Sequence, residues 1–268
     1  LLQNRNVIGA EIEMVQRRQH ADGSNKKYIG GMLTVYDLVL PYPKEVYHLQ
    51  IASPLTSFNM STTNGSFIYN ADYKLLGAFK YDAYANLVQQ MKTLDLSTAY
   101  VWDHKNTLPT AEVINAELES IAFSSFETDG TGRWTSIPNI ITNRIVGGVT
   151  GKYSYNLLAG NNITKTGLLS TRRYLVTYWR KNGSGGITVS SNTGPSVVTT
   201  GQVRGSWTYY ENLLPLNSNS VTISGTGSNI DELRLYPQDA RMSTTIFDNY
   251  SGLISSRDSS DNKITYYE

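Results

Sequence analysis

The chain repeatedly places a short, β-branched and aromatic run directly against a glycine- or asparagine-rich turn, and this pattern most restricts its folding. Tyr174-Leu175-Val176-Thr177-Tyr178-Trp179 is followed by Asn182-Gly183-Ser184-Gly185-Gly186 and then by Ile187-Thr188-Val189-Ser190. Gly205-Ser206-Trp207-Thr208-Tyr209-Tyr210, Ser220-Val221-Thr222-Ile223-Ser224 and Ile230-Asp231-Glu232-Leu233-Arg234-Leu235 continue the series. Short runs of this kind, closely spaced with turn residues between them, predict a sandwich or jelly roll. Ser124 to Pro237 therefore reads as a self-contained β-sandwich.

Composition supports an all-β chain. Nineteen tyrosines suit a pleated surface, and 22 glycines suit its turns. Hydrophobic residues make up 40% of the 268, enough for a core. The net charge of +1, with 17% charged residues, gives no field for collecting nucleic acid. Cysteine is absent, which excludes disulfide staples, thiolate zinc and thiol catalysis. No run of 18 apolar residues occurs, so no helical span is expected. His20, His48 and His104 lack metal-ligand spacing and read as solvated or structural. The chain starts without methionine and stops within an expected strand, Ile264-Thr265-Tyr266-Tyr267-Glu268, and is read as a piece of a longer protein.

Outside 124–237 the texture differs. Val7 to Val15 reads as a strand broken by Gly9. Ala21-Asp22-Gly23-Ser24-Asn25 and Ser61-Thr62-Thr63-Asn64-Gly65 read as turns, and Leu33 to Leu40 alternates. Residues 111–123 fit either a short helix with Ile114, Leu118, Ile121 and Ala122 on one face or a strand plus linker. An aromatic-Asp pair recurs at Tyr81-Asp82, Trp102-Asp103 and Phe247-Asp248, with Tyr36-Asp37 as a decayed copy. Asp82 and Asp103 are 21 residues apart, and Tyr267 follows Asp248 by 19. A period of this length indicates stacked units that cannot bury their apolar faces singly.

Two resemblances follow. Phe79-Lys80-Tyr81-Asp82-Ala83-Tyr84-Ala85-Asn86-Leu87 resembles the YD-repeat signature of RHS-type proteins, with Ala85 where that family has glycine. Phe247 to Ile254 is similar, with one extra residue before Gly252, and Asp261 to Glu268 resembles the run into a next repeat. Ala111-Glu112-Val113 to Phe126-Glu127 and Asp239-Ala240-Arg241-Met242 are similar to large secreted RHS-like proteins of Bacteroidota. Ser124-Ser125-Phe126-Glu127, Trp134, Gly151-Lys152-Tyr153-Ser154 and Ile230 to Pro237 resemble the galactose-binding-like jelly roll of carbohydrate-binding modules. The implied organisation is a YD-repeat-like β segment over 1–123, a carbohydrate-binding-module-like jelly roll over 124–237, and further YD repeats from 238 to 268.

The second resemblance implies a structural calcium ion held by Glu127, Asp129 and Asp231, where the opening and closing strands meet. Six to eight oxygens would be needed. The competing reading makes Glu127 and Asp231 solvated strand ends or partners of Arg133 or Arg172. A glycan would require exposed rings beside polar groups, for which Trp179, Trp207, Tyr209, Tyr210, Arg204 and Asn182 are candidates. Strand alternation puts Trp207 and Tyr209 on one face and Tyr210 on the other.

No nucleophile elbow, P-loop or dinucleotide fingerprint occurs, and Gly225-Thr226-Gly227 lacks the third glycine. Glu117 and Glu119 are two carboxylates on a surface segment, without a pocket to separate their roles. The chain is therefore expected not to be an enzyme. It is expected to be an extracellular or cell-surface segment of a shell or adhesive fibre. The RHS resemblance implies export by the type IX route and a place in a polymorphic-toxin-type shell. Expected partners are the rest of its own longer chain, a surface glycan, and the secretion or anchoring machinery, with neither nucleic acid nor membrane insertion by this segment. The alternative is an accessory carbohydrate-binding part of a polysaccharide-degrading enzyme.

Overall fold

The computed structural model describes residues 9–37, 39–64, 66–248, 251–258 and 263–267. Sequence readings that fall on Val7, Ile8, Leu38, Gly65, Asn249, Tyr250, Asp261, Asn262 and Glu268 lie outside the described residues. The chain is all-β, as expected, with no α-helix among the described residues. It divides into two compact units, Leu1–Asp95 and Leu96–Glu268. The division falls inside the segment read as repeats, so its last two strands belong with the sandwich.

In the first unit, β1 (Glu13–Arg18), β2 (Lys27–Tyr36), β3 (Pro43–Leu49), β6 (Tyr73–Tyr81) and β7 (Leu87–Lys92) form an antiparallel meander in that order. A small hairpin of β4 (Thr62–Asn64) and β5 (Ser66–Ile68) lies in the excursion between β3 and β6. Leu33, Leu49 and Tyr73 form the core, with Tyr47, Ile51, Phe58 and Tyr69 packed on it. Phe58 lies edge-on to Tyr73 at 6.0 Å, and Tyr69 lies 5.2 Å from Tyr47. Glu13 fastens the excursion: its carboxylate accepts from the Ser61 amide (2.7 Å), the Ser61 hydroxyl (2.6 Å) and the Tyr73 hydroxyl (2.9 Å).

The second unit contains a sheet and a sandwich. β8 (Thr98–Asp103) and β9 (Leu108–Ile114) begin the sheet. The segment left open in sequence is thus a strand, followed by a 3-10 turn at Leu118–Ser120. The chain then leaves for the sandwich: β10 (Ala122–Ser124), β11 (Arg144–Val146), β12 (Tyr153–Leu157), β13 (Ile163–Thr166), β14 (Tyr174–Lys181), β15 (Ile187–Ser191), β16 (Gly194–Pro195), β17 (Val197–Arg204), β18 (Trp207–Leu213), β19 (Ser220–Gly225) and β20 (Ser228–Pro237). It returns as β21 (Arg241–Phe247), β22 (Ile254–Asp258) and β23 (Ile264–Tyr266). β21 pairs directly with β9, Arg241 opposite Ile114 and Thr244 opposite Ala111, so the order is β8-β9-β21-β22-β23.

One sandwich sheet runs β11-β12-β20-β14-β18-β17, with β10 beside the second half of β20; the other runs β13-β19-β15-β16. Tyr155, Leu157, Val176, Leu233 and Leu235 of the first interleave with Ile163, Val189, Val221 and Ile223 of the second. Fully burying such a side chain contributes about 1.5–3 kcal/mol. Ser124 lies opposite Leu233, so the two ends of the module are neighbours.

The aromatic-Asp pairs occupy equivalent places in four hairpins. Each ends a strand, and in each the register shifts at the aromatic: Val35/Tyr36, Lys80/Tyr81, Val101/Trp102 and Ile246/Phe247. The aspartate then caps the turn. Asp82 Oδ1 accepts from the Tyr84 and Asn86 amides at 2.9 Å each, and Asp37 Oδ1 from Val39 and Leu40. Asp248 Oδ1 accepts from Ser251 at 2.7 Å, and Asp103 Oδ1 from His104 at 2.7 Å. Ala85 takes φ +70° and Gly252 +67°, the left-handed region that glycine enters freely and alanine does not.

Candidate functional site

The densest polar chemistry of the second unit lies where β20 meets loop 147–153 on one side and β21 and β22 on the other. Asp231 Oδ2 accepts from the Val149 (2.7 Å) and Thr150 (3.0 Å) amides, and Asp231 Oδ1 from the Glu232 amide (2.8 Å). Glu127 Oε1 accepts from the Lys152 (2.8 Å) and Tyr153 (2.7 Å) amides. One loop thus holds two of the three expected metal ligands, Glu127 and Asp231, at one end of the sandwich. A Cβ at Gly151 would run into the Glu127 carboxylate.

A second set of charges adjoins this pair. Glu232 has φ +52° at a bulge where β20 faces β14. Its Oε1 accepts from the Thr150 hydroxyl (2.7 Å), and its Oε2 from Arg234 (2.8 Å) and the Thr244 hydroxyl (3.0 Å). The Arg234 guanidinium also donates to Asp258 and to the Thr244 hydroxyl (3.0 Å). Every member is buried. These bonds join β20 of the sandwich to β21 and β22 of the sheet. Among the described residues Arg234 Nε and Asp258 Oδ1 have no hydrogen-bond partner, and such groups cost about 1–3 kcal/mol each.

Burial raises Glu127, Asp231 and Glu232. It outweighs the amides at Glu127, which is pushed up to about 7. It raises Asp231 well above the ordinary value, with Glu232 adding repulsion. Glu232 is raised by burial against the attraction of Arg234. For Arg234 burial acts downward, but Asp258 and Glu232 overcome it and hold the guanidinium charged.

The other candidates are dispersed. Asp129 is exposed, and its charge is felt at Asp103, away from the carboxylate pair. Trp179, Trp207 and Tyr209 do share the outward face of the sandwich, but that face is covered. They are buried with Val149 and with Ile264 of β23, so no ring face is open to a sugar there. Tyr210 turns the other way and stacks on Tyr178 at 5.7 Å, with the Arg180 guanidinium 4.8 Å from its centroid. Arg204 donates to the Tyr266 hydroxyl at 3.3 Å, and exposed Asn182 accepts from Thr208 at 2.6 Å. Arg172 pairs with Glu117 and Asp239, and Arg133 donates to the Leu118 carbonyl. Glu117 is thereby tied to a structural arginine.

Asp231 Oδ2 and Glu127 Oε1 each already accept two amide N–H groups, which occupy both in-plane lone pairs. Among the described residues no group of three or more His, Asp or Glu side chains converges. As folded, loop amides hold the carboxylates where the resemblance would place an ion.

Thr150, Glu232, Arg234, Thr244 and Asp258 were not legible as a site. The one hint was three charged positions, Asp231, Glu232 and Arg234, separated only by Leu233 within an expected strand. No family model matches the chain, and no curated protein matches it.

Proposed function

We propose that this chain is a scaffold segment of a large secreted or cell-surface protein of RHS type, in which a repeat-built sheet carries a sandwich as an inserted module. The pairing of β9 with β21 carries this reading. The sheet resumes its register after the whole sandwich, and aromatic-Asp hairpins of one design stand on both sides of the insertion. A sheet interrupted there would present unpaired N–H and C=O groups. The work of such a segment is to position surfaces, and its partners are the rest of its own chain and the anchoring machinery. Protease shaving of intact source cells should release peptides of this segment; recovery only after lysis would overturn the assignment. Turnover of a glycan or peptide, abolished by one carboxylate-to-amide change, would overturn the non-catalytic part.

Calcium is tested separately. The loop amides engage one oxygen of each carboxylate, Asp231 Oδ2 and Glu127 Oε1. If the remaining oxygens hold an ion, millimolar calcium should raise the melting temperature, with a gain of about 2.7 kcal/mol at 100-fold saturation. A melting temperature equal in chelator and calcium would overturn the calcium expectation.

A further inference from the structure

The sheet of the second unit has two unlike faces. Ala111, Val113, Met242, Thr244, Ile246, Asp258 and Ile264 are buried. Their neighbours in sequence point the other way, as strand alternation requires, and Glu112, Ser243, Arg257 and Thr265 are exposed. On this outward face lies a cavity of about 490 Å³ whose floor is the sheet.

Its lining is ordered by strand. Tyr100 stands on β8, Glu112 on β9, Ser243 and Thr245 on β21, Arg257 on β22, and Thr265 on β23, with Tyr267 just beyond and Lys263 just before that strand. Tyr100, Glu112 and Ser243 are directly opposite one another across three strands; Thr245, Arg257 and Thr265 are likewise aligned. Neighbouring strands lie about 4.8 Å apart, close to the length of one pyranose residue. A chain of sugar rings laid across the strands therefore meets a new polar group with each ring.

The charges grade along this row. Glu112 lies toward the Tyr100 end, and two cations, Arg257 and Lys263, toward the Tyr267 end; Asp258 also borders the cavity, but its buried carboxylate is paired with Arg234. Hydroxyls occupy the middle, and a tyrosine ring stands at each end. Guanidinium groups favour carboxylates through paired, planar hydrogen bonds, and tyrosine rings give apolar faces with polar tips.

We infer that this cavity binds a uronate-bearing oligosaccharide laid across the strands, its carboxylate at Arg257 and Lys263. The inference deepens the scaffold reading by giving the segment a ligand, and places that ligand on the repeat sheet.

The test is isothermal titration of the full 268-residue chain with tetragalacturonate and a hyaluronan hexasaccharide, using cellohexaose and hexaglutamate as controls. At least one uronate oligosaccharide should bind. Arg257→Ala should weaken it tenfold or more, Glu112→Gln more modestly, and Asn182→Ala on the sandwich not at all. Arg257 and Glu112 are exposed, so circular dichroism of these variants should match the parent. Binding of neither uronate probe overturns the inference. So does equal binding of cellohexaose, which needs no cation, or of hexaglutamate, which would mark a general anion site. Surface shaving is independent of all four ligands, so the scaffold reading can fail or stand separately.

Discussion

The sandwich interior and the seam between sandwich and sheet are equally dry but are built from opposite materials. The interior interleaves Leu157, Val176, Ile223, Leu233 and Leu235 from two sheets. The seam buries Arg234, Glu232, Asp258, Asp231 and Glu127 beside Trp179 and Trp207. Apolar packing tolerates many arrangements of similar volume. A desolvated ion cluster is satisfied in few, and breaking it leaves a charge with no partner. The interior thus supplies most of the folding free energy, while the seam selects one docking of the sheet on the module.

The largest test of this contrast removes the buried cation of the seam. Arg234→Met should destabilise the chain by about 3–5 kcal/mol at neutral pH, because Glu232 and Asp258 stay buried. Part of the loss should return at acid pH, because burial holds Glu232 above the ordinary glutamate value and eases its uptake of a proton. Urea denaturation at neutral and at acid pH measures this, and a loss under about 1 kcal/mol would mean that the seam opens to water. Leu157→Ala in the interior should cost about 2–5 kcal/mol, with no change between the two pH values. If its cost varied with pH, the two regions could not be treated as separate.

Glu127 gives a smaller effect of opposite sign. Its folded-state value, about 7, lies above its ordinary 4.5, so the folded chain holds the proton more tightly than the unfolded chain. That contribution is fully present below about pH 4.5 and is lost as pH rises through 7. Glu127→Gln keeps the amide acceptor and removes the charge. It should raise stability at pH 8 by up to about 3 kcal/mol, and flatten the pH dependence between 5 and 7. A destabilised variant at pH 8 would show that the ionised form is the one the loop holds.

The smallest expected effect lies in the other unit. Ala85→Gly relieves a left-handed alanine, and the first unit should gain about 1 kcal/mol or less, read from amide exchange at Leu87 and Val88. No gain would mean that the Asp82 hydrogen bonds already offset the strain.

The interior was legible because its strands alternate, and its turns at Asn182-Gly183 and Gly225-Thr226-Gly227 are chemically explicit. The seam was not, for a physical reason. Ile230-Asp231-Glu232-Leu233-Arg234-Leu235 has the signature of a strand with one wet face, yet nearly every position of β20 is buried. The covering face comes from β21 and β22, and local periodicity does not report a partner so distant in the chain. Trp179, Trp207 and Tyr209, candidates for open rings, face out of the sandwich toward the sheet and are buried there for the same reason. Ala85 carried a signal that could be read, since its place in the Asp82 turn calls for glycine.

The pairing of β9 with β21 also has a consequence in time. While the chain between Ile114 and Arg241 is unfolded, bringing these strands together closes a very long loop, and the entropic cost grows with its length. Once the sandwich has formed, β10 and β20 lie side by side, and only short connections separate them from β9 and β21. The effective contact order of the sheet then falls sharply. The sheet begins earlier in the chain but closes after the module inserted into it, and the sandwich serves as a template for its own surroundings.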